Sequence, residues 1–171
     1  YDEPAFIQLW AERIRAGLTA LAAANVATPG GPHALDSCEV LFSAHSLPER
    51  ILAQKDPYPD QLLDSAAAIA RAAGVSQWRF AYQSAGRTPE PWLGPDILDV
   101  LPELQAKGRR LVLSCPIGFV ATHLEVIYDI DIEAQARAKE LGLRLVRAEM
   151  PDADPAFTAM LAQLILRRLG S

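Results

Sequence analysis

Four short apolar runs, rich in β-branched and aromatic residues, alternate with helical segments along most of this chain. The runs are EVLFSAH (39–45), WRFAYQS (78–84), RRLVLSCPIGFV (109–120) and LRLVRAEM (143–150). Strands that alternate with helices are typical of βαβ units, whose strands run parallel in one sheet. The sequence therefore predicts an α/β, Rossmann-like fold: a four-stranded parallel sheet with right-handed crossovers and helices on both faces.

The helical segments show apolar residues at helical spacing and end at glycine or begin with a capping residue. Beyond an extra N-terminal helix over residues 4–24, they are predicted near 58–73, 95–107, 122–141 and 154–169. A Gly- and Pro-rich stretch separates the first helix from the rest. The chain is thus interpreted as one domain (1–171), with a leading helix (1–25), a linker (26–38) and an α/β core (39–171).

Length, charge and cysteine content limit the possible functions. At 171 residues the chain suits one domain with a sizeable core, and its formal charge of −5 argues against nucleic acid as a partner. No apolar run approaches the roughly 20 residues of a membrane span. Cys38 and Cys115 lie in or beside predicted strands, which suggests buried, reduced thiols in a cytoplasmic protein; two thiols cannot hold an iron–sulfur cluster. Because the chain starts at Tyr1 in a helical pattern, we expect it to be part of a longer polypeptide.

Polar residues end the first three predicted strands. His45 ends the first, Gln83 and Ser84 end the second, and His123 follows the third. Ligands of open parallel sheets bind beyond the carboxyl ends of the strands, so these residues are predicted to share one edge. A histidine near an apolar run is commonly a hydrogen-bonded core residue. Its place at a strand end favours a base or metal ligand for His45, since histidine titrates near pH 6.5.

Glu125, Asp129 and Glu133 follow at steps of four, so an α-helix places them in a narrow stripe, each about 40° from the last. One interpretation is a solvated acidic face. The other is a path for a hard or borderline divalent cation, and nearby imidazole makes Fe²⁺ suitable. Apolar residues between the acids predict that this helix packs on more than one side: Val126, Ile127, Ile130 and Ile132. For His123, orienting Glu125 and capping the helix are equally compatible with the sequence.

The loop QSAGRTPEPWLGP also has two interpretations. Trp92 is either a packing anchor of a proline-rich loop or an aromatic wall beside a polar ligand that Gln83, Ser84 and Arg87 would bind. The segment DPYPDQL is predicted to enter a helix stiffened by proline, with Tyr58 at the edge of the pocket.

Five segments together resemble one known family. SAHSLPE, DPYPDQL, QSAGRTPEPWLGPD, GFVATHLEVIYDIDIE and EMPDADPAF, in this order and spacing, resemble the C-terminal half of ferrochelatases, most of all the bacterial coproporphyrin ferrochelatases. The likeness extends from YDEP to the last helix. It implies a chelatase-type half of a lyase that inserts Fe²⁺ into a porphyrin, with coproporphyrin III favoured, during heme biosynthesis. The family holds the porphyrin between two similar α/β domains.

The resemblance also implies roles for individual residues. His45 would face the macrocycle and either accept pyrrole protons or ligate iron, with Glu125 as its acidic partner. Asp129 and Glu133 would continue the metal path along a helix that contains a π-type widening. The expected substrate contacts are Ser46, Tyr58, Gln83, Ser84 and Trp92. Fe²⁺ would be substrate, with no further cofactor and no iron–sulfur cluster.

The resemblance leaves part of the family's architecture unaccounted for. The first domain of the family, which supplies the other wall of the cleft, is expected to be the missing partner, and the chain alone is expected to have little or no activity. Two alternatives stay open. One is a single-domain cobalt or sirohydrochlorin-type chelatase acting as a homodimer, in which His123 would turn inward. The other is a non-catalytic module that binds a metal or tetrapyrrole.

Overall fold

The computed structural model describes residues 1–25 and 37–170, so most of the predicted linker lies outside the described residues. Four parallel strands form one sheet in the order β2-β1-β3-β4. They are β1 (Cys38–His45), β2 (Trp78–Gln83), β3 (Leu111–Cys115) and β4 (Arg144–Arg147). The predicted α/β fold with a four-stranded parallel sheet is confirmed. The third strand is shorter than its apolar run because Pro116, which lacks an amide hydrogen, follows Cys115.

The helices lie close to their predicted positions. They are α1 (Pro4–Asn25), the single turn α2 (Arg50–Ala53), α3 (Tyr58–Ala73), α4 (Ile97–Ala106), a π-helix (Val126–Ala134), α5 (Gln135–Glu140) and α6 (Pro155–Leu169). Gly74 ends α3 at φ +74°, in the left-handed region that glycine adopts without strain. Asp154 caps α6 by accepting the amides of Ala156 and Phe157. In the described ranges, none of the helices combines the length and apolar character that a bilayer span requires.

The sheet separates two apolar layers, because successive residues of a strand point to opposite faces. Val40 and Phe42 of β1 face a layer formed with α1 and α3, whereas Leu41 between them faces α4, the π-helix and α5. The leading helix is an integral part of the first layer, since Trp10 and Ile14 are fully buried there. Helices therefore cover both faces, as predicted.

The two cysteines lie in the first layer as buried free thiols, as predicted. Burial raises the pKa of Cys38 to about 11 and also raises the pKa of Cys115. Both are therefore protonated and unreactive at neutral pH, because the nucleophilic form of cysteine is the thiolate.

A charged pair lies near the amino end of β1, where the sheet is otherwise apolar. Glu39 is only 5% exposed, and its Oε2 lies 2.9 Å from Nε of Arg109. Arg109 also donates a hydrogen bond to the side-chain oxygen of Gln77. The ion pair with Arg109 compensates a carboxylate that would otherwise be buried without an opposite charge.

The helix predicted over 122–141 contains the π-type widening that the resemblance implies, whereas its packing differs from the prediction. It begins at Leu124, widens into the π-helix, and continues as α5. The expectation that it packs on more than one side is wrong: Val126, Ile130 and Ala134 are buried, whereas Ile127 and Ile132 are 40% and 53% exposed.

Candidate active site

The carboxyl end of the sheet brings together residues that are distant in sequence. His45 and Gln83 are paired neighbours at the ends of β1 and β2. The chain leaves β3 at Cys115 and, after a short loop, enters the helix that carries Glu125. The prediction that the strand-end residues share one edge is therefore correct for His45, Gln83 and Ser84.

His45 is held in a defined orientation. Its Nδ1 hydrogen bonds to the carbonyl oxygen of Ser46, which can only accept, so Nδ1 carries the proton. In the neutral ring, Nε2 is then an unprotonated nitrogen, and it lies 3.9 Å from Oε2 of Glu125. The two side chains are 34% and 51% exposed, so both can meet a ligand. This pair can accept a proton at Nε2 and stabilise the resulting imidazolium with the carboxylate.

Gly118 permits the close approach between the β3–helix loop and the end of β1. Its amide donates to the Ser43 carbonyl at 3.1 Å, and a Cβ at this position would lie 2.4 Å from Cβ of Ala44. The loop also places Phe119 between two histidine rings, 6.5 Å from His45 and 5.0 Å from His123. The separation of His45 and Glu125 thus depends on a residue without a side chain at position 118.

We expect Gly118→Ala to destabilise the chain by about 1–3 kcal/mol, because the added methyl group overlaps the Ala44 side chain and backbone and the loop must shift. The measurement is urea unfolding followed by tryptophan fluorescence. Gly94→Ala is the control, since a Cβ there meets nothing closer than the Asp96 amide at 3.8 Å. Equal stability of the two variants would contradict the steric role of Gly118.

Asp129 is fixed by the end of β2. The Ser84 hydroxyl donates to Oδ2 of Asp129, and the Gln83 amide nitrogen lies 3.4 Å from the same oxygen. Gln83 is itself oriented by the buried Ser43 hydroxyl, which donates to its Oε1 at 2.8 Å. Ser84 has φ +61°, an uncommon conformation for a residue other than glycine, and such strain concentrates at functional sites. Gln83 and Ser84, which are predicted substrate contacts, are therefore positioned to hold Asp129, one of the acids of the predicted stripe.

Asp129 and Glu133 face an open acidic cavity of about 290 Å³. Its lining also includes Gln83, Ser84, Arg87, Asp96 and Tyr128. The predicted stripe is thus divided: Glu125 lies beside His45, and the two later acids line this cavity. The turn of a π-helix is wider than that of an α-helix, so the 40° offset expected from α-helical geometry does not apply here.

Asp96 is a member of the site that sequence reasoning missed, although an aspartate directly before an apolar helical run is an N-cap signal. Its side-chain carboxylate accepts a hydrogen bond from the Leu98 amide at the start of α4. Burial raises the pKa of Asp96, and the carboxylates of Asp99, Asp129 and Glu133 raise it further. The cavity therefore holds one acid that is more readily protonated than an ordinary aspartate.

We expect Asp96→Asn to keep the cap, because Asn and Asp cap helices equally well, and Asp96→Ala to cost about 1 kcal/mol. The folded pKa of Asp96 is raised, so its contribution to stability is present at low pH and is lost as pH rises through that pKa. The stability of Asp96→Asn relative to wild type should therefore increase from pH 3 to pH 7 in urea unfolding. A difference independent of pH would contradict this assignment.

Three predicted substrate contacts have other partners in the structure. Ser46 is fully buried and donates to the Leu93 carbonyl at 2.7 Å, so its side chain does not reach the cavity. The Tyr58 hydroxyl donates to the His45 carbonyl at 2.9 Å, and burial raises the pKa of Tyr58 to about 12. Trp92 donates to Thr88 at 2.9 Å and lies against Gly86, where a Cβ would be 2.3 Å from its ring. The structure thus favours Trp92 as a packing anchor of its loop.

His123 is exposed, with its ring edge-on against Phe119. Its carbonyl oxygen accepts the Ile127 amide at 3.0 Å in the first helical turn. The choice between orienting Glu125 and capping the helix stays a prediction.

The predicted metal ligands do not form one preformed cluster. Within residues 1–25 and 37–170, no group of three or more His, Cys, Asp or Glu side chains is arranged to hold a metal ion. The arrangement instead consists of the His45–Glu125 pair and the separate acidic cavity.

Large apolar side chains lie exposed around the site. They are 40–78% exposed and belong to the loop after β3 and to the helix that follows: Val120, Leu124, Ile127, Tyr128 and Ile132. Exposed apolar patches commonly mark binding surfaces. The surface beside His45 therefore suits a flat apolar ligand or the face of another domain.

Comparisons with known proteins show what this chain is similar to. The family model described as Ferrochelatase matches residues 1–169. A ferrochelatase of Herpetosiphon aurantiacus is 49% identical over 164 residues, which are 96% of this chain and 51% of the relative. Coproporphyrin III ferrochelatases of Geobacillus thermodenitrificans and Bacillus subtilis are 45% and 42% identical over 171 residues, 99% of this chain. The chain spans about half the length of these curated relatives.

Proposed function

Because this chain belongs to the ferrochelatase family, we propose that it is the catalytic half of a lyase that inserts Fe²⁺ into a porphyrin during heme biosynthesis, with coproporphyrin III as substrate. The observation that carries the proposal is the 3.9 Å separation of His45 Nε2 and Glu125 Oε2 at the carboxyl edge of the sheet. The exposed apolar residues beside this pair suit the face of a macrocycle.

Metal insertion requires two pyrrole N–H protons to leave while Fe²⁺ loses its bound water. His45 accepts one proton at Nε2, since Nδ1 donates to Ser46 and keeps that tautomer. The Glu125 carboxylate accepts the second proton, passes it to solvent because its side chain is half exposed, and then, charged again, stabilises the imidazolium. Asp129 and Glu133 attract the hydrated cation, because oxygen donors suit hard and borderline metals. Gln83 and Ser84 contribute by orienting Asp129.

We also propose that a second α/β domain supplies the opposite wall of the porphyrin cleft, since the curated relatives are about twice as long as this chain. With one wall only, the porphyrin would be open to water, so the chain alone should turn over slowly or not at all. Buried thiols suit a reducing compartment, which supports a cytoplasmic location.

The test is anaerobic insertion of Fe²⁺ into coproporphyrin III, with protoporphyrin IX as the competing substrate. It uses a polypeptide that joins this chain to the other half present in its relatives, and this chain alone as the comparison. We expect turnover by the joined polypeptide and a preference for coproporphyrin III. Full activity of the chain alone as a homodimer would favour a single-domain chelatase. Heme binding without turnover would favour a non-catalytic module.

A further inference from the structure

The π-helix is attached by polar contacts to both outer strands of the sheet. On one side, Asp129 is bound by Ser84 and Gln83 at the end of β2. On the other side, Asp131 is bound by Arg147 at the end of β4, with Nε–Oδ1 and Nη2–Oδ2 distances of 2.9 and 2.8 Å. Because β2 and β4 are the two edges of the sheet, these contacts attach the helix across its whole carboxyl end.

The contact with β4 is the more directional of the two. Arg147 and Asp131 form two parallel hydrogen bonds, and their side chains are only 19% and 33% exposed. The hydrogen bond to Asp131 is the main cause of the raised pKa of Arg147. A bidentate pair of this kind fixes the relative orientation of both groups as well as their distance. Gln135 adds a bond from its Nε2 to the Leu145 carbonyl at 2.9 Å.

The remaining contacts of the π-helix with the core are less selective. Its buried face consists of Val126, Ile130 and Ala134, and apolar contacts have no preferred direction. Glu125 is half exposed, so packing around its own side chain does little to hold it. The place of its carboxylate therefore follows the position of the helix backbone.

We infer that Asp131 and Arg147 are positioning residues, which fix the helix so that Glu125 stays opposite His45 and Asp129 stays opposite Ser84. The inference deepens the proposed function and rests on it, because the metal-insertion reaction is what uses these carboxylates. Neither residue needs to contact the substrate. They act by keeping the carboxylates of Glu125 and Asp129 in place. Misplacement of a reacting group by about 1 Å can cost roughly 10²-fold in rate.

In the joined polypeptide, we expect Arg147→Met to lower kcat for iron insertion by about ten- to a hundredfold, with little change in KM for the porphyrin. Arg147→Lys should fall between wild type and Arg147→Met, because an ammonium group keeps the charge but not the two-pronged geometry. Reversing the pair, with Asp131→Arg and Arg147→Asp together, should recover part of the activity that either change alone removes.

A double-mutant cycle separates positioning from general support of the fold. If Arg147 acts by placing Glu125, Arg147→Met should have a much smaller effect on kcat in a Glu125→Gln background than in wild type. A purely structural role would lower kcat by the same factor in both backgrounds, and that result would overturn the inference.

Hydrogen–deuterium exchange gives a readout that does not need activity. Amides of residues 126–134 should exchange faster in Arg147→Met than in the control Arg137→Met, which removes an exposed ion pair with Glu140 at 3.1 Å on the following helix. Equal exchange in the two variants would also overturn the inference. A wild-type enzyme without iron insertion would refute the proposed function, and the exchange result would still decide whether the pair fixes the helix.

Discussion

Replacing His45 by alanine in the joined polypeptide should lower the rate of iron insertion by about 10²–10⁴-fold, the range that general acid–base catalysis contributes. The reason is the role of the Nε2 nitrogen of His45. Nδ1 is committed to the Ser46 carbonyl, so Nε2 is the atom left to accept a pyrrole proton or to meet the metal, and it is the atom nearest Glu125. Without it, protons would have to leave the macrocycle directly to water.

The decisive comparison is His45→Gln. Its side-chain amide can hydrogen bond but has no basic nitrogen, so it should be nearly as inactive as His45→Ala if the ring acts as a base or ligand. Both variants should remain folded in urea-free buffer, which urea unfolding checks, because the side chain lies at the edge of the sheet and is one-third exposed. Initial rates of anaerobic iron insertion measure the effect. Near-normal turnover by either variant would remove the proposed mechanism and leave the fold unaffected.

Glu125→Gln tests the other half of the pair. It should reduce the rate less than His45→Ala, because solvent can stabilise the imidazolium in part when the carboxylate is absent. The double variant should be little worse than His45→Ala, since groups that act as a unit are strongly non-additive. Strictly multiplicative losses would show that the two residues act independently.

The arrangement of strands could be predicted because its causes are local. Short apolar runs rich in β-branched and aromatic residues indicate β1 to β4, and capping residues and glycine stops indicate the helices between them. Parallel connections then place His45 and Gln83 on one edge. The form of the helix after β3 could not be read from composition or periodicity. Its π-turns are accompanied by tertiary contacts such as Asp131 with Arg147, which join residues 16 positions apart.

The placement of three side chains could not be read from the sequence, for physical reasons. Ile127 and Ile132 have the chemistry of core residues, but a surface that binds an apolar ligand or domain needs the same side chains. Ser46 follows His45 directly, yet its side chain bonds to the loop at Leu93, a partner 47 positions away that sequence spacing cannot indicate. The direction in which a side chain points at the end of a strand depends on the loop that packs against that end.

The largest loss of stability should come from Arg109→Met. Glu39 is 5% exposed in β1 and would keep its charge without its partner, and breaking a buried pair in this way costs about 3–5 kcal/mol. The free energy of unfolding of an ordinary domain is only about 5–15 kcal/mol, so this loss is a large fraction of the total stability. Urea unfolding followed by tryptophan fluorescence measures the change.

Two further variants identify the cause of this loss. Arg79→Met removes a more exposed pair, Arg79 with Glu103 at 2.7 Å, and should cost about 1 kcal/mol or less. Glu39→Leu combined with Arg109→Met should recover most of the lost stability, because apolar residues can replace a buried ion pair at little cost. A loss that the double variant does not recover would show that Arg109 stabilises the fold through its other contacts rather than by compensating the buried charge of Glu39.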